Sequence, residues 1–399
     1  MIETPVETNF HIEVSCQQKY YDGERICGDV FMSSRIKEEN RVVAVLSDGM
    51  GHGVKANVLA TLTATMALNF TKEHKQIERT AEIIMNTLPV CSDRHISYST
   101  FTIVDIEMDG MVHIIEYDNP LAIIVRGTKI FTPNWKIITL ESELNKGKQL
   151  RTCSFYPRKE DRIVFWSDGV AQSGMGSEKY PFGWGIDMMT EYVLHQVEKE
   201  PEIAAPRLGA KVVNMAHVND FYHSKDDTSC AVIYLREPRK LLITTGPPFN
   251  EENDKQLGDA VRDFQGKKII CGATTGDIIA RELGEKITDS FEFEDPDLPP
   301  VSYMPGIDLI TEGILTLGKV NEILKRYTNN SKLGKGPADS IVKLLLDSDE
   351  ITMIIGTKIN IAHQDPNLPI ELEIRRTVVK RIARLLEEKF LKEVKVTYI

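Results

Sequence analysis

The chain has 399 residues, 42% of them hydrophobic and 27% charged, with a formal net charge of −11 at pH 7. That length favours two domains over one core, and the composition is ordinary for a globular protein. The acidic balance argues against a nucleic-acid backbone or an anionic membrane as a main partner, and no apolar run approaches a membrane span.

Met1-Ile2-Glu3-Thr4-Pro5 has neither the basic nor the apolar part of a secretory signal. The six cysteines are scattered, with no CxxC pair, which fits free thiols in a reducing compartment. A cytoplasmic location is expected. Phe10 to Gln17 alternates as an opening strand, and Val42-Val43-Ala44-Val45-Leu46 predicts a buried strand leading to Asp48. Ala56, Leu59, Ala60, Thr63, Met66, Ala67 and Phe70 then recur at helical spacing. A second helix is predicted from about Ile77 to Leu88, stopped by Pro89. Tyr98 to Glu107 and Met111 to Arg126 are predicted as antiparallel strands joined at Asp109-Gly110. Arg162 to Trp166 is another buried strand, leading to Asp168. Ile186 to Lys199 and Ala204 to Val218 read as helices, and Cys230 to Leu235 as a closing strand. This order suits an α+β sandwich.

A boundary is predicted near Glu237-Pro238-Arg239, dividing the chain into domains 1–237 and 238–399. Beyond it, strands at Leu241 to Thr245, Lys267 to Cys271 and Ile351 to Ile355 alternate with helices at Lys255 to Phe264 and Thr275 to Leu283. A last helix carries the stripe Ile374, Val378, Ile382, Leu385, Leu386 and Phe390. The expectation is a small α/β domain with a largely parallel sheet.

Four acidic motifs punctuate the first part: Cys27-Gly28-Asp29, Ser47-Asp48-Gly49-Met50-Gly51-His52-Gly53, Ser167-Asp168-Gly169 and Lys225-Asp226-Asp227-Thr228. Taken singly, such aspartates are common turn residues. Gathered at strand ends, they would repel one another unless a cation joined them. Hard divalent ions prefer such oxygen ligands, so the residues point to a metal-dependent hydrolase.

In this order, the motifs GD, DGMGHG, SDG and KDDTS resemble the stage II sporulation protein E branch of the protein phosphatase 2C (PPM) superfamily, over roughly residues 8 to 237. The resemblance implies a PPM-type β-sandwich flanked by helices, with a small α/β domain following it here. It implies two Mn²⁺ or Mg²⁺ ions, bridged by Asp48, with the backbone carbonyl of Gly49 on one of them. Asp29, Asp168 and Asp226 would serve the other, partly through waters, and with Asp48 would form the catalytic set. Asp227 would support the loop; on the residues alone, either Asp226 or Asp227 presents the ligand oxygen, and the family pattern favours Asp226. A water held between the metals would attack phosphorus directly. The implied substrate is a phosphoserine or phosphothreonine protein of bacterial signalling, such as an anti-sigma-factor antagonist.

Two residues have rival readings. Arg25 precedes Gly28 by three residues, where many superfamily members place a phosphate-gripping arginine, yet a solvated surface role is the plainer one. Met50 and Gly51 separate His52 from the Asp-Gly pair, so shaping the Gly51–Gly53 turn stands beside a general-acid role. Gly174-Met175-Gly176-Ser177 is expected to form a flap or a plain connection.

In the second domain, Cys271-Gly272-Ala273-Thr274-Thr275-Gly276-Asp277 joins a strand to a helix. Its free N–H groups would cradle an anion, although it lacks a Walker lysine and small residues also serve such turns sterically. Thr244 to Pro248, with Asp308, Thr311 and Glu312, are expected at the same crevice. A small regulatory ligand is the expected role, with a second activity or a docking surface as alternatives. For the whole chain, a non-catalytic signalling scaffold and a small-molecule phosphatase remain as rival readings.

Overall fold

The computed structural model describes residues 10–36, 39, 41–73, 83–87, 99–107, 110–143, 145–290, 292, 294–328, 331–358, 369–390 and 392–399, of which 369–374 by backbone alone. It divides into two compact units, Met1–Glu237 and Pro238–Ile399. Among the described residues no helix is long and apolar enough to cross a membrane.

The first unit is a sandwich of two sheets. The strand Arg41–Gly49 (β3) shows how its sequence builds one. Val42, Ala44 and Leu46 face the core between the sheets, while Val43 and Val45 face the opposite side. Period-two alternation thus serves two apolar layers at once. β3 belongs to a six-stranded sheet ordered β2-β3-β4-β5-β9-β8. Its other strands are β2 (Val30–Ile36), β4 (Ser99–Glu107), β5 (Val112–Tyr117), β8 (Lys136–Thr139) and β9 (Gln149–Phe155). The second sheet, ordered β1-β11-β10-β6-β7, holds β1 (His11–Lys19), β6 (Ile123–Arg126), β7 (Lys129–Phe131), β10 (Asp161–Trp166) and β11 (Thr228–Arg236).

Helix α1 (Gly53–Glu73) packs Ala64 and Ala67 against Val43, Val45 and Ile103 on the outside of the first sheet. Buried Arg41 holds its far end, pairing with Asp105 at 2.6 Å and donating to the carbonyls of Thr71 and Lys72. These are among the carbonyls a helix leaves open at its C-terminus. On the outside of the second sheet lie α2 (Ile186–Lys199) and α3 (Ala205–Asn219), through Met189, Val193, Leu208 and Val212.

The span predicted as one strand from Met111 to Arg126 is two. The chain leaves β5 at Tyr117, turns at Asp118 (φ 58°) before Pro120, and re-enters in the other sheet as β6. The expected helix from Ile77 to Leu88 falls largely outside the described residues, of which 83–87 are helical.

The second unit is a mainly parallel sheet ordered β14-β15-β16-β13-β12-β17-β18. Its strands are β12 (Lys240–Thr245), β13 (Lys267–Cys271), β14 (Thr288–Asp289), β15 (Ser302–Met304), β16 (Ile307–Thr311), β17 (Glu350–Ile355) and β18 (Glu393–Tyr398). Helices α4 (Glu252–Asp263) and α5 (Ala273–Leu283) cover one face through Leu257, Val261 and Ile279. Helices α6 (Ile314–Arg326), α7 (Pro337–Asp347) and α8 (Pro369–Glu388) cover the other through Leu317, Ile341 and Ile382. Phe390, placed on the last helix by its spacing, lies beyond the helix end. The unit is doubly wound, with crossover helices on both faces.

Candidate active site

Asp48 is still on β3, paired opposite Thr100, rather than in the loop beyond. The next residue explains how α1 sits over it. A Cβ on Gly49 would stand 2.1 Å from the carbonyl oxygen of Ala56, so only a hydrogen fits beneath the helix. Gly51 and Gly53 take φ of +88° and +72°, which L side chains rarely adopt, and let the chain reverse into α1.

Asp168 opens a single helical turn (Asp168–Ala171) after β10, and Asp226-Asp227 precede β11. Because β10 and β11 pair with Trp166 opposite Cys230, the two motifs emerge side by side. They touch: a Cβ on Gly169 would lie 2.2 Å from the carbonyl of Asp227. The first motif closes on the same point. A Cβ on Gly28 would meet Asp227 Oδ2 at 2.6 Å and the Ala56 side chain at 3.0 Å. All four acidic motifs therefore meet at one end of the sandwich.

The carboxylates feel one another. Asp29 is buried and its pKa is pushed up to about 7, mainly by desolvation, with Asp227 and Asp226 adding repulsion and the Ser229 and Ser167 hydroxyls opposing it. Burial, then the charges of Asp29, Asp168 and Asp226, hold Asp48 well above the usual carboxylate range. Asp226 is pushed up to about 6 by burial and by Asp168. Asp29 Oδ2 accepts the Ser229 hydroxyl at 2.5 Å, while its Oδ1 is buried with no hydrogen-bond partner. Among the described residues no group of three Asp, Glu, His or Cys side chains stands where it could hold a metal ion without rearranging. The set is open and self-repelling. A hard divalent cation fits its donor chemistry, supplying the missing partner and cancelling the repulsion.

Asp227 is placed differently from Asp226. It is buried, with Oδ1 accepting the Tyr21 N–H at 3.0 Å and Oδ2 without a partner. Its own N–H donates to Asp226 Oδ1 at 2.8 Å, leaving Asp226 the more open carboxylate. His52 is exposed, stacked on Tyr21 with ring centroids 4.2 Å apart, its Nδ1 2.9 Å from Glu24 Oε1. Arg25 is exposed in the loop between β1 and β2, with no ion pair or hydrogen bond among the described residues. The Gly174–Ser177 turn is held from beneath: Gly174 N–H donates to Asp220 Oδ1 at 2.7 Å, and Lys225 Nζ to the Met175 carbonyl at 2.9 Å.

Sequence reasoning missed several polar residues here. Gln18 Nε2 reaches the Asp29 carbonyl at 3.2 Å and Ser229 Oγ at 3.0 Å, and Asn57 ties α1 to the Cys27 carbonyl at 2.8 Å. No local pattern marks these. Gln172, which donates to Asp168 Oδ2 at 2.8 Å, lies four residues on, a helical spacing that would have revealed it.

Residues 38–234 match the family model described as Stage II sporulation protein E (SpoIIE), which leaves Asp29 to the geometry. No curated protein matches the chain. Among solved structures, the SpoIIE phosphatase domain from Bacillus subtilis is similar at 12% identity, covering 57% of this chain and 93% of that one, with a TM-score of 0.44. RsbX in complex with magnesium is similar at 17% identity, over 58% and 98% of the two chains, with a TM-score of 0.38. The RsbU and RsbW domains of a Mycobacterium tuberculosis protein are similar at 15% identity, over 63% and 69%, with a TM-score of 0.44. Over residues 38–234, just under half of the chain, the first unit is SpoIIE-like.

Proposed function

We propose that the first unit is a divalent-cation-dependent phosphatase that releases phosphate from phosphoserine or phosphothreonine in a protein. The observation that carries this reading is the convergence of Asp29, Asp48, Asp168 and Asp226 on one open site, with an oxygen of Asp29 buried and unpartnered. Two Mn²⁺ or Mg²⁺ ions bound there would acidify a water and neutralise charge on the phosphate oxygens. Asp48 and the Gly49 carbonyl, together with Asp29, Asp168 and Asp226, would hold them. Asp227 ties down the loop leading to the first motif through Tyr21 N–H. Arg25, exposed and unpaired among the described residues, is free to take two phosphate oxygens in its planar fork. His52, held through Nδ1 by Glu24, leaves Nε2 to pass a proton to the departing seryl oxygen.

The likeness to that family supports a bacterial signalling phosphoprotein as substrate, of the anti-sigma-factor antagonist kind. The buried free thiols Cys27, Cys153, Cys230 and Cys271 support a reducing, cytoplasmic setting. The test is phosphate release from a phosphoserine and phosphothreonine peptide library with Mn²⁺, Mg²⁺ or chelator. Turnover that needs both metal and Asp48 is expected; none from folded, metal-loaded protein would overturn the reading.

A further inference from the structure

In the second unit the chain reverses its winding between β12 and β17, the place where doubly wound sheets usually open a crevice beyond their strand ends. Here that crevice is closed by backbone. Gly356 N–H donates to the Thr245 carbonyl at 2.9 Å and Lys358 N–H to the Pro247 carbonyl at 3.1 Å. A Cβ on Gly356 would lie 2.1 Å from the carbonyls of Gly246 and Pro247. The neighbouring strand end, over β13, is different.

β13 ends at Cys271, and Gly272 (φ +115°) turns the chain into α5 without a side-chain cap. Gly272 N–H is taken by the Thr311 carbonyl at 2.8 Å, and the first helical bond runs from Gly276 N–H to the Gly272 carbonyl. The N–H groups of Ala273, Thr274 and Thr275 therefore have no intrahelical partner, and Ala273 and Thr274 are exposed. α6 starts otherwise, with the Glu312 carboxylate accepting from Leu315 and Thr316 N–H at 3.1 and 3.3 Å.

One further group faces the α5 turn, and a second stands over the turn beside it. Thr275 is only 1% exposed, and its hydroxyl makes no hydrogen bond among the described residues. Its Oγ1 lies 3.5 Å from where a Cβ on Gly272 would stand, so the hydroxyl points into the turn. An unpartnered hydroxyl on so buried a side chain is left to bond whatever enters the turn. On the adjoining strand, Thr245 pairs with Cys271, which sets the Gly246 turn beside the Gly272 turn. Arg375 of α8 stands over that neighbour, its Nη1 2.5 Å from where a Cβ on Gly246 would project. Helix N–H groups, a hydroxyl and a guanidinium all favour the same guest, a small oxyanion.

We propose that the Gly272–Thr275 turn, with Arg375 beside it, binds the phosphate group of a small phosphorylated molecule. The first turn of α5 and the Thr275 hydroxyl cradle the phosphate oxygens, and Arg375 balances their charge.

The test is calorimetric titration of the full chain carrying Asp48→Asn in chelator, which removes the first unit's affinity for phosphate. Inorganic phosphate, AMP and ribose 5-phosphate are the probes. Saturable binding of at least one is expected, and the strongest tells free phosphate from a nucleotide or a sugar ester. Thr275→Val should weaken it about tenfold or more, and Thr275→Ser should retain it. Arg375→Gln should weaken it as well, and it decides the matter if Thr275→Val melts early. Folded parent that binds none of the three, or binding unchanged in Thr275→Val or Arg375→Gln, would overturn the proposal.

Discussion

The Ser229 hydroxyl donates to Asp29 Oδ2 at 2.5 Å across 200 residues of chain. Because Gln18 Nε2 also reaches Ser229 Oγ and the Asp29 carbonyl, this contact fixes which oxygen of Asp29 is left open. Groups that orient a metal ligand commonly contribute ten- to a hundredfold to affinity. Ser229→Ala is expected to raise the Mn²⁺ concentration for half-maximal phosphate release by about tenfold or more. Thermal melting in chelator should also fall, because buried Asp29 Oδ2 loses its donor. An unshifted Mn²⁺ titration would show that Asp29 needs no such orientation.

Asp48→Asn and Asp168→Asn each remove a charge from the centre of the acidic set. Phosphate release at saturating Mn²⁺ should fall at least about a hundredfold in either variant. In chelator both should melt no lower than the parent, because each relieves repulsion. Turnover near the parent's in Asp48→Asn would sink the proposed centre.

Under the proposed function, proton and metal would compete for these carboxylates. Burial and mutual repulsion hold Asp29 at about 7 and Asp226 at about 6 without metal. A carboxyl raised in the folded state favours folding while protonated, and that contribution is lost as pH rises through its folded pKa. Cations need the ionised form, so their stabilisation should grow over the same interval. The rise in melting temperature on adding Mn²⁺ is expected to be larger at pH 7.5 than at pH 5.5. An equal rise at both would contradict the linkage.

Glu116 offers a second pH effect, within the β5 core. Its Oε1 accepts Ala122 N–H at 2.7 Å, whereas Oε2 makes no hydrogen bond, although Arg151 Nη2 stands 3.4 Å away. Burial pushes its pKa from 4.5 up to about 7, against the pull of Ala122 N–H and Arg151. Stability from this group is full below its unfolded pKa and falls as pH rises through 7, by roughly 3 kcal/mol in all. Glu116→Gln keeps an acceptor for Ala122 without the charge. Its melting temperature relative to the parent should therefore climb between pH 5 and pH 8, and a flat difference would refute the assignment.

Gly49 and Gly169 are intolerant for a steric reason. Alanine at either would bring Cβ within 2.1 or 2.2 Å of a carbonyl, of Ala56 and Asp227 respectively. Each substitution should cost about 1–3 kcal/mol or more, seen as a lower urea midpoint, and should displace α1 or the Asp226 loop. A midpoint within error of the parent's would mean that these segments part freely.

Much of this protein is written locally. The alternating run of β3, the apolar run of β10 and the helical spacing of α2 lie in consecutive residues, and the structure has β3 at Arg41–Gly49, β10 at Asp161–Trp166 and α2 at Ile186–Lys199. Residues two or about four apart share a face whatever surrounds them, so such patterns survive without tertiary context. The acidic motifs were legible for a similar reason, each being contiguous. Short edge strands such as β7 and β8 were not, because three or four half-exposed residues carry too little period to read. Nor was the crossing from β5 to β6, where one left-handed residue sends the chain to the other sheet. Apart from Gln172, the site's supports were beyond the sequence. Gln18 meets Ser229 only because β1 pairs with β11, and Asn57 meets Cys27 only because α1 lies against Gly49. Asp308, expected at the crevice of the second unit, lies at the other end of its strand, where it accepts Lys268 N–H. The sequence alone determined which segments are strands and helices and which carboxylates they carry. Strand register and the close approach of distant backbone decided which of those groups meet, because contacts between remote segments depend on packing that no local period encodes.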